Sequence, residues 1–184
     1  MPQDRTRNVV ITGVLAAISV LLGWTHWGFI PWFSGASLTI MHVPVIIGAI
    51  LEGPVVGAAI GLIFGLFSMM QAAIAPSGPT DVIFTNPLVS VLPRLFIGPV
   101  AWLVWRAFSR WQPLGLVLSG IAGSLTNTAL VLGMIGVLEL FPWTVVWAAA
   151  IGNGPLEAGA AALLNLAVVA AWRRIEVGRQ GAAL

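Results

Sequence analysis

The chain has 184 residues, of which 59% are hydrophobic and only 8% are charged. A soluble domain carries roughly 25% charged residues, and a core of this size could not bury so much apolar surface. The composition therefore excludes a soluble globular protein and indicates an integral membrane protein. The formal net charge of +2 comes from a few arginines beside apolar segments, which is a topology signal and does not indicate nucleic acid.

Apolar runs along the chain predict the helices. A spanning helix needs about 20 mostly apolar residues, and proline, glycine and tryptophan mark the breaks between the runs. The runs predict six transmembrane helices, at about 8–24, 38–51, 54–75, 86–106, 113–138 and 143–172. The second run is short for a span and contains His42 and Pro44. We expect one all-α membrane domain over residues 1–184.

The arginines predict the orientation. With six helices, one side of the membrane receives both termini and the loop near 106–113, and it holds seven of the eight arginines: Arg5, Arg7, Arg106, Arg110, Arg173, Arg174 and Arg179. The opposite loops, at about 24–37, 76–85 and 139–143, contain none. The positive-inside rule then predicts a multi-pass protein of the cell membrane with both termini in the cytoplasm.

The first outer loop, WTHWGFIPWFSGAS, is long and aromatic and includes Trp32. One interpretation is an aromatic belt at the membrane interface. The other is a lid that closes over a ligand and stacks on it.

Small residues recur at helical spacing in two predicted helices. Gly53, Gly57, Gly61 and Gly65 lie four residues apart, which favours close packing against another backbone. Gly13 and Ala17 form a shorter stripe in the first helix, which could face either this chain or a partner membrane subunit.

The eighth arginine, Arg94, lies in the apolar stretch LVSVLPRLFIG, between Pro93 and Pro99. A guanidinium in hydrocarbon costs roughly 2.5 kcal/mol or more, so it needs a partner, a water-filled cavity or a ligand. Prolines in membrane helices leave backbone carbonyls for other groups to satisfy, and such broken helices often line substrate cavities.

Four polar side chains on three predicted helices lie at a similar depth in the membrane. At about 1.5 Å per residue, Arg94, Asn127, Asn153 and Glu157 lie about 12 to 18 Å from the outer helix ends. Asn86 lies nearer the mouth. Two interpretations remain open: an internal Arg94–Glu157 ion pair, or a polar pocket open to the outside in which Arg94 meets an anionic group.

The sequence gives little support for metal binding or catalysis. His42 is expected to be a packed or capping histidine, and two distant histidines without cysteine make no metal motif. The sequence lacks a phosphate-binding Gly-x-x-x-x-Gly-Lys-Ser/Thr loop and the usual hydrolase motifs, so we expect neither an enzyme nor a cofactor.

Three stretches carry a resemblance to a known family: VPVIIGAILEGPVVGAAIGLIFGL, NPLVSVLPRLFIG and GSLTNTALVLG. From about residue 8 to 172 the chain resembles the substrate-binding S components of energy-coupling factor (ECF) vitamin transporters. Within that family it is most similar to the pantothenate members. Arg94 and Asn127 match the family's Pro-Arg and Asn-Thr positions.

The resemblance implies a six-helix fold with a vitamin pocket near the outer face, closed by outer loops. The implied substrate-binding residues are Arg94, Asn127, Asn153, Glu157, Asn86 and Trp32. It also implies partners, namely a membrane coupling (T) component and two ATPase subunits, with Gly13 and Ala17 at the expected contact. Alternatives are an S component for riboflavin or folate, or a non-transporting scaffold subunit with a structural Arg94–Glu157 pair.

Overall fold

A computed structural model describes residues 2–31, 37–76 and 79–181, with side chains described over 5–28, 39–76 and 81–173. The described elements, in chain order, are α1 Pro2–Trp24, β1 Phe29–Pro31, β2 Ser37–Thr39, α2 Val43–Glu52, α3 Pro54–Ile74, a 3₁₀ helix Pro79–Thr85, α4 Pro87–Ser90, α5 Leu92–Ala107, α6 Gln112–Val137 and α7 Trp143–Gly181. Apart from one short hairpin, this described part is helical, as the sequence predicted.

Five helical spans within the described residues are long and apolar enough to cross a membrane: Arg5–Trp24, Pro54–Ile74, Pro87–Ala107, Gln112–Val137 and Trp143–Arg173. The second predicted span, at about 38–51, is shorter than expected. Residues 38–39 do not begin a helix, because Ser37–Thr39 pairs antiparallel with Phe29–Pro31. The helix begins at Val43, and its ten residues cover about 15 Å, half of a bilayer core.

Helix α2 forms the centre of the bundle. Its residues 43–50 are all buried, and it packs against α1, α3, α5 and α7. The sequence VPVIIGAI is apolar on every side, which is typical of a helix enclosed by others. The short helix therefore supplies core contacts and brings its first residues into the interior.

The fourth predicted helix is interrupted at Val91, which separates α4 from α5. Pro93 has no N–H and cannot donate to the Val89 carbonyl, its normal i−4 partner in a helix. The break therefore leaves an acceptor inside the bundle, close to the start of α5.

Glycines of α3 allow α4 and α5 to approach closely. A Cβ atom on Gly65 would lie 2.8 Å from the Ser90 carbonyl oxygen, and one on Gly98 would lie 2.6 Å from the Gly57 backbone. Gly61 faces the Arg94 backbone in the same way. Gly53 was predicted to belong to this stripe and does not: it forms the turn between α2 and α3, with φ of +99° and open space around it.

The two ends of the bundle differ in character. At the hairpin end, α1 finishes and α2 begins around the β1–β2 hairpin. At the arginine end, Arg7 of α1 forms an ion pair with Glu52 at 2.8 Å, and Arg173 of α7 lies 4.7 Å from the Trp105 ring of α5. Because helices alternate in direction, α5 and α7 both run from the hairpin end towards the arginine end.

Candidate ligand-binding site

Arg94 is buried, with 5% of its surface exposed, and its guanidinium is held by backbone and aromatic rings. Its Nη1 donates a hydrogen bond to the Val89 carbonyl oxygen, the acceptor that Pro93 leaves without a helical donor. The guanidinium carbon lies 5.4 Å from the Phe64 ring centre and 5.5 Å from that of Phe84. Such cation–π contacts stabilise a charge while leaving its edges available.

The internal Arg94–Glu157 ion pair, one of the two interpretations from sequence, is wrong. Between these two described side chains no ion pair forms. Glu157 accepts a hydrogen bond from the Thr39 backbone N–H at 2.8 Å and one from the Thr128 hydroxyl at 3.4 Å. Helix α6 packs against both α5, which carries Arg94, and α7, which carries Glu157.

Arg94 therefore has no acidic partner among the described side chains, and its buried Nε atom has no hydrogen-bond partner. A charged group enclosed in this way is stabilised by an anion that brings its own oxygen atoms. The arrangement around Arg94 is suited to binding a carboxylate or a similar anionic group.

Asn127 lies on α6, which packs against the Arg94 helix α5. It is buried, and its Oδ1 atom has no hydrogen-bond partner. The next residue, Thr128, bonds Glu157, so α6 brings Asn127 and Glu157 to the same depth. Of the layer that helix depths predicted, this contact supports the shared depth of Asn127 and Glu157.

The other three predicted site residues are Asn153, Asn86 and Trp32. Asn153 is half-buried on α7, one helical turn before Glu157. Asn86 caps α4 by accepting a hydrogen bond from the Leu88 N–H at 2.9 Å, so its oxygen already has a structural partner. Trp32 lies outside the described residues.

Sequence reasoning missed two features of the site. Thr39 binds Glu157 through its backbone, which no side-chain pattern could reveal. His42 was expected to be a packed or capping histidine. It is fully buried, but its side chain makes no capping hydrogen bond and both ring nitrogens are without partners. The sequence did contain a signal for the burial of His42, because this polar ring directly precedes a wholly apolar helix.

Within the described part of the chain, no group of three histidine, cysteine, aspartate or glutamate side chains is placed to hold a metal ion. Among the described side chains, the buried polar atoms without partners lie on four helices: Arg94 Nε on α5, Ser124 Oγ and Asn127 Oδ1 on α6, Asn165 Oδ1 on α7, and both ring nitrogens of His42 at the start of α2. Such a set can bind an organic molecule with one anionic group and several hydrogen-bonding groups.

Comparison with known proteins defines the class. A family model described as "ECF transporter, substrate-specific component" matches residues 7–173. The chain belongs to this family of membrane transport components. The pantothenic acid transporter PanT of Lactococcus lactis subsp. cremoris is 30% identical over 162 residues, which cover 80% of each chain. The pantothenate transporter PanT of Leuconostoc mesenteroides subsp. mesenteroides is 34% identical over 140 residues, 70% of this chain and 67% of the relative.

Glu157 links the hairpin to α7 and α6, and this link is testable. We expect Glu157→Ala to speed hydrogen exchange of the Thr39 amide by about tenfold or more, because a hydrogen bond to a charged acceptor is lost. Glu157→Gln keeps an oxygen acceptor and should have a smaller effect. The measurement is hydrogen–deuterium exchange on a peptide covering residues 37–42.

The exposed Glu139, in the turn between α6 and α7, provides a control. Glu139→Gln should leave exchange at Thr39 unchanged. Equal exchange rates in the wild type and Glu157→Ala would show that the Glu157 carboxylate does not hold the hairpin.

Proposed function

We propose that this protein is the vitamin-binding subunit of an ECF importer, that its vitamin is pantothenate, and that a separate module supplies the energy. The observation that carries the proposal is the buried Arg94 guanidinium. Its Nε atom has no hydrogen-bond partner, and it has no acidic partner among the described side chains. Two relatives with pantothenate transport in their names support the choice of vitamin.

The chemistry of pantothenate matches the site. The molecule has one carboxylate, one amide and two hydroxyl groups. Arg94 binds the carboxylate, and Asn127 binds the amide or a hydroxyl through its unpartnered oxygen. Asn153 and Asn86 line the path on the hairpin side, and Glu157 holds the β1–β2 hairpin through Thr39. The family resemblance assigns Trp32 to the ligand as well.

Other vitamins fit less well. Folate has two carboxylates, and the described part of the bundle buries a single arginine. Riboflavin has no carboxylate, which would leave the Arg94 charge without an anion. The scaffold alternative depended on a structural Arg94–Glu157 pair, and Glu157 binds Thr39 and Thr128 instead.

The role of Arg94 can be tested with one substitution and two ligands. We expect Arg94→Gln to weaken pantothenate binding by a factor on the order of a hundred, because a charge-assisted interaction inside the bundle is removed. Panthenol, which has an alcohol in place of the carboxylate, should bind wild type and Arg94→Gln with similar affinity. Isothermal titration calorimetry on the purified protein measures both.

The exposed Arg106, at the arginine end, is the control. Arg106→Gln should keep wild-type affinity for pantothenate. If Arg94→Gln folds and still binds pantothenate like the wild type, the carboxylate is not bound by Arg94.

We place the hairpin end outside and both termini in the cytoplasm of the cell that makes the protein. The arginines at the other end support this orientation under the positive-inside rule. Pantothenate then enters from outside, past the hairpin.

Because the chain has no cysteine, single cysteines can report the orientation. Glu139→Cys, at the hairpin end, should react with a membrane-impermeant maleimide in intact cells. Ser109→Cys, in the turn between α5 and α6, should react only after the membrane is opened. The reverse pattern would place the binding site on the cytoplasmic side.

The proposed partners are a membrane coupling component and two ATPase subunits, with Gly13 and Ala17 of α1 at the contact. Both residues are exposed, and a Cβ atom on Gly13 would meet nothing within 4 Å, so this stripe does not pack against the described part of the chain. α1 is also the least buried of the five candidate spans. An open small-residue stripe allows another helix to approach closely.

Leucine at Gly13 should therefore block assembly without affecting the ligand site. We expect Gly13→Leu to bind pantothenate normally and to lose co-purification with the coupling component and ATPases of its host. Gly159→Leu is the matched control, since Gly159 is an exposed glycine of α7 with equally open surroundings. Normal co-purification of Gly13→Leu would exclude α1 as the contact.

A further inference from the structure

The buried side chain of His42 makes no hydrogen bond that would stabilise the fold. It is fully buried, and neither Nδ1 nor Nε2 has a hydrogen-bond partner. It occupies the N-cap position of α2, but only its backbone carbonyl contributes, by accepting from the Ile46 N–H at 3.3 Å. Burying polar atoms without partners costs about 1–3 kcal/mol each, so an apolar ring would be more stable here.

The packing of α2 on α6 places His42 near Asn127. A Cβ atom on Gly123 would lie 2.6 Å from Ile46 Cγ1, so α2 and α6 touch at this point. His42 precedes Ile46 by four residues, and Asn127 follows Gly123 by four. Because α2 begins and α6 ends at the hairpin end, both lie one turn, about 5.4 Å, from the contact in the same direction.

A second contact places His42 near Arg94. Gly61 of α3 lies against the Arg94 backbone on one side, and its Cβ position is 3.5 Å from Val45 Cγ1 on the other. Val45 is one turn beyond His42 on α2. His42, Arg94 and Asn127 thus surround one region of the bundle from three helices.

We propose that His42 is a ligand-binding residue and that it recognises a hydroxyl group of the substrate, at the opposite end from the carboxylate bound by Arg94. A neutral imidazole presents one donor and one acceptor, and a hydroxyl presents the same pair, so the two are complementary. The Asn127 oxygen accepts from the second hydroxyl. This inference rests on the proposed function, since it assigns a residue to the pantoyl half of pantothenate.

His42→Phe separates ligand binding from fold stability. The variant keeps an aromatic ring and removes both unpartnered nitrogens. We expect pantothenate to bind about tenfold to a hundredfold more weakly, while the melting temperature of the ligand-free protein does not fall. Asn165→Leu is the control, because Asn165 is a fully buried amide that bonds Leu116 and Ser119 inside the bundle. That variant should lose thermal stability and keep its affinity.

Ligand analogues identify the group that His42 contacts. Pantothenate with one pantoyl hydroxyl replaced by hydrogen should bind the wild type about tenfold more weakly. For one of the two hydroxyl positions, His42→Phe should bind the analogue and pantothenate equally well, because the partner of that hydroxyl is already gone. If His42→Phe discriminates both analogues as strongly as the wild type does, the proposal is overturned.

If His42→Phe does not fold, the contact between His42 and the ligand can be measured by NMR spectroscopy on the wild type. In wild-type protein labelled with ¹⁵N-histidine, the His42 ring nitrogens should shift when pantothenate is added, because they gain hydrogen bonds. A His26→Gln variant assigns the two histidines. Unchanged His42 signals at saturating pantothenate would exclude the contact. Failure of the wild type to bind pantothenate would instead refute the proposed function, which separates the two results.

Discussion

The burial of the Arg94 guanidinium constrains the helices around it. A charge within the apolar part of a membrane protein needs acceptors, and here they come from local backbone geometry and aromatic rings. Pro93 leaves the Val89 carbonyl without its helical donor, and Arg94 takes that place. Phe64 and Phe84 cover the guanidinium, and Gly61 lets α3 pack directly on the Arg94 backbone. Proline, glycine and arginine therefore form one structural unit.

The separation of Arg94 from Glu157 has a consequence for the proposed binding of an anion. An ion pair between them would neutralise the site and compete with an anionic substrate. Instead the carboxylate binds the Thr39 backbone at the end of the hairpin, together with the Thr128 hydroxyl. Arg94 is left without an acidic partner among the described side chains, and Glu157 bonds the segment that precedes α2. Because His42 follows Thr39 by three residues, a short piece of chain joins the hairpin to the proposed ligand-binding region.

Small residues lie on two different kinds of surface, one inside the bundle and one on its outside. Inside the bundle, Gly57, Gly61 and Gly65 allow α3 to approach α4 and α5, and a side chain at any of them would meet backbone atoms. On α1, Gly13 has open space, so the same residue type leaves a surface available to another membrane helix. The sequence pattern is alike in the two helices. Only the three-dimensional packing distinguishes an internal seam from an external one.

Hydropathy, charge and proline positions determined the class of protein, most of its helices and the importance of Arg94. These features depend on the order of residues along the chain, and five long apolar helices lie where spans were predicted. The shared depth of Asn127 and Glu157 also followed, because depth in a helix can be counted from sequence.

The tertiary structure alone decided which polar atoms meet. It made α2 half a span long, bonded Glu157 to Thr39, and left both nitrogens of His42 without partners. Each residue turns a side chain by about 100° around its helix, so contacts depend on how each helix is rotated against its neighbours. A backbone donor such as the Thr39 N–H has no side-chain signature. For these reasons the sequence could locate the polar layer but could not pair its members.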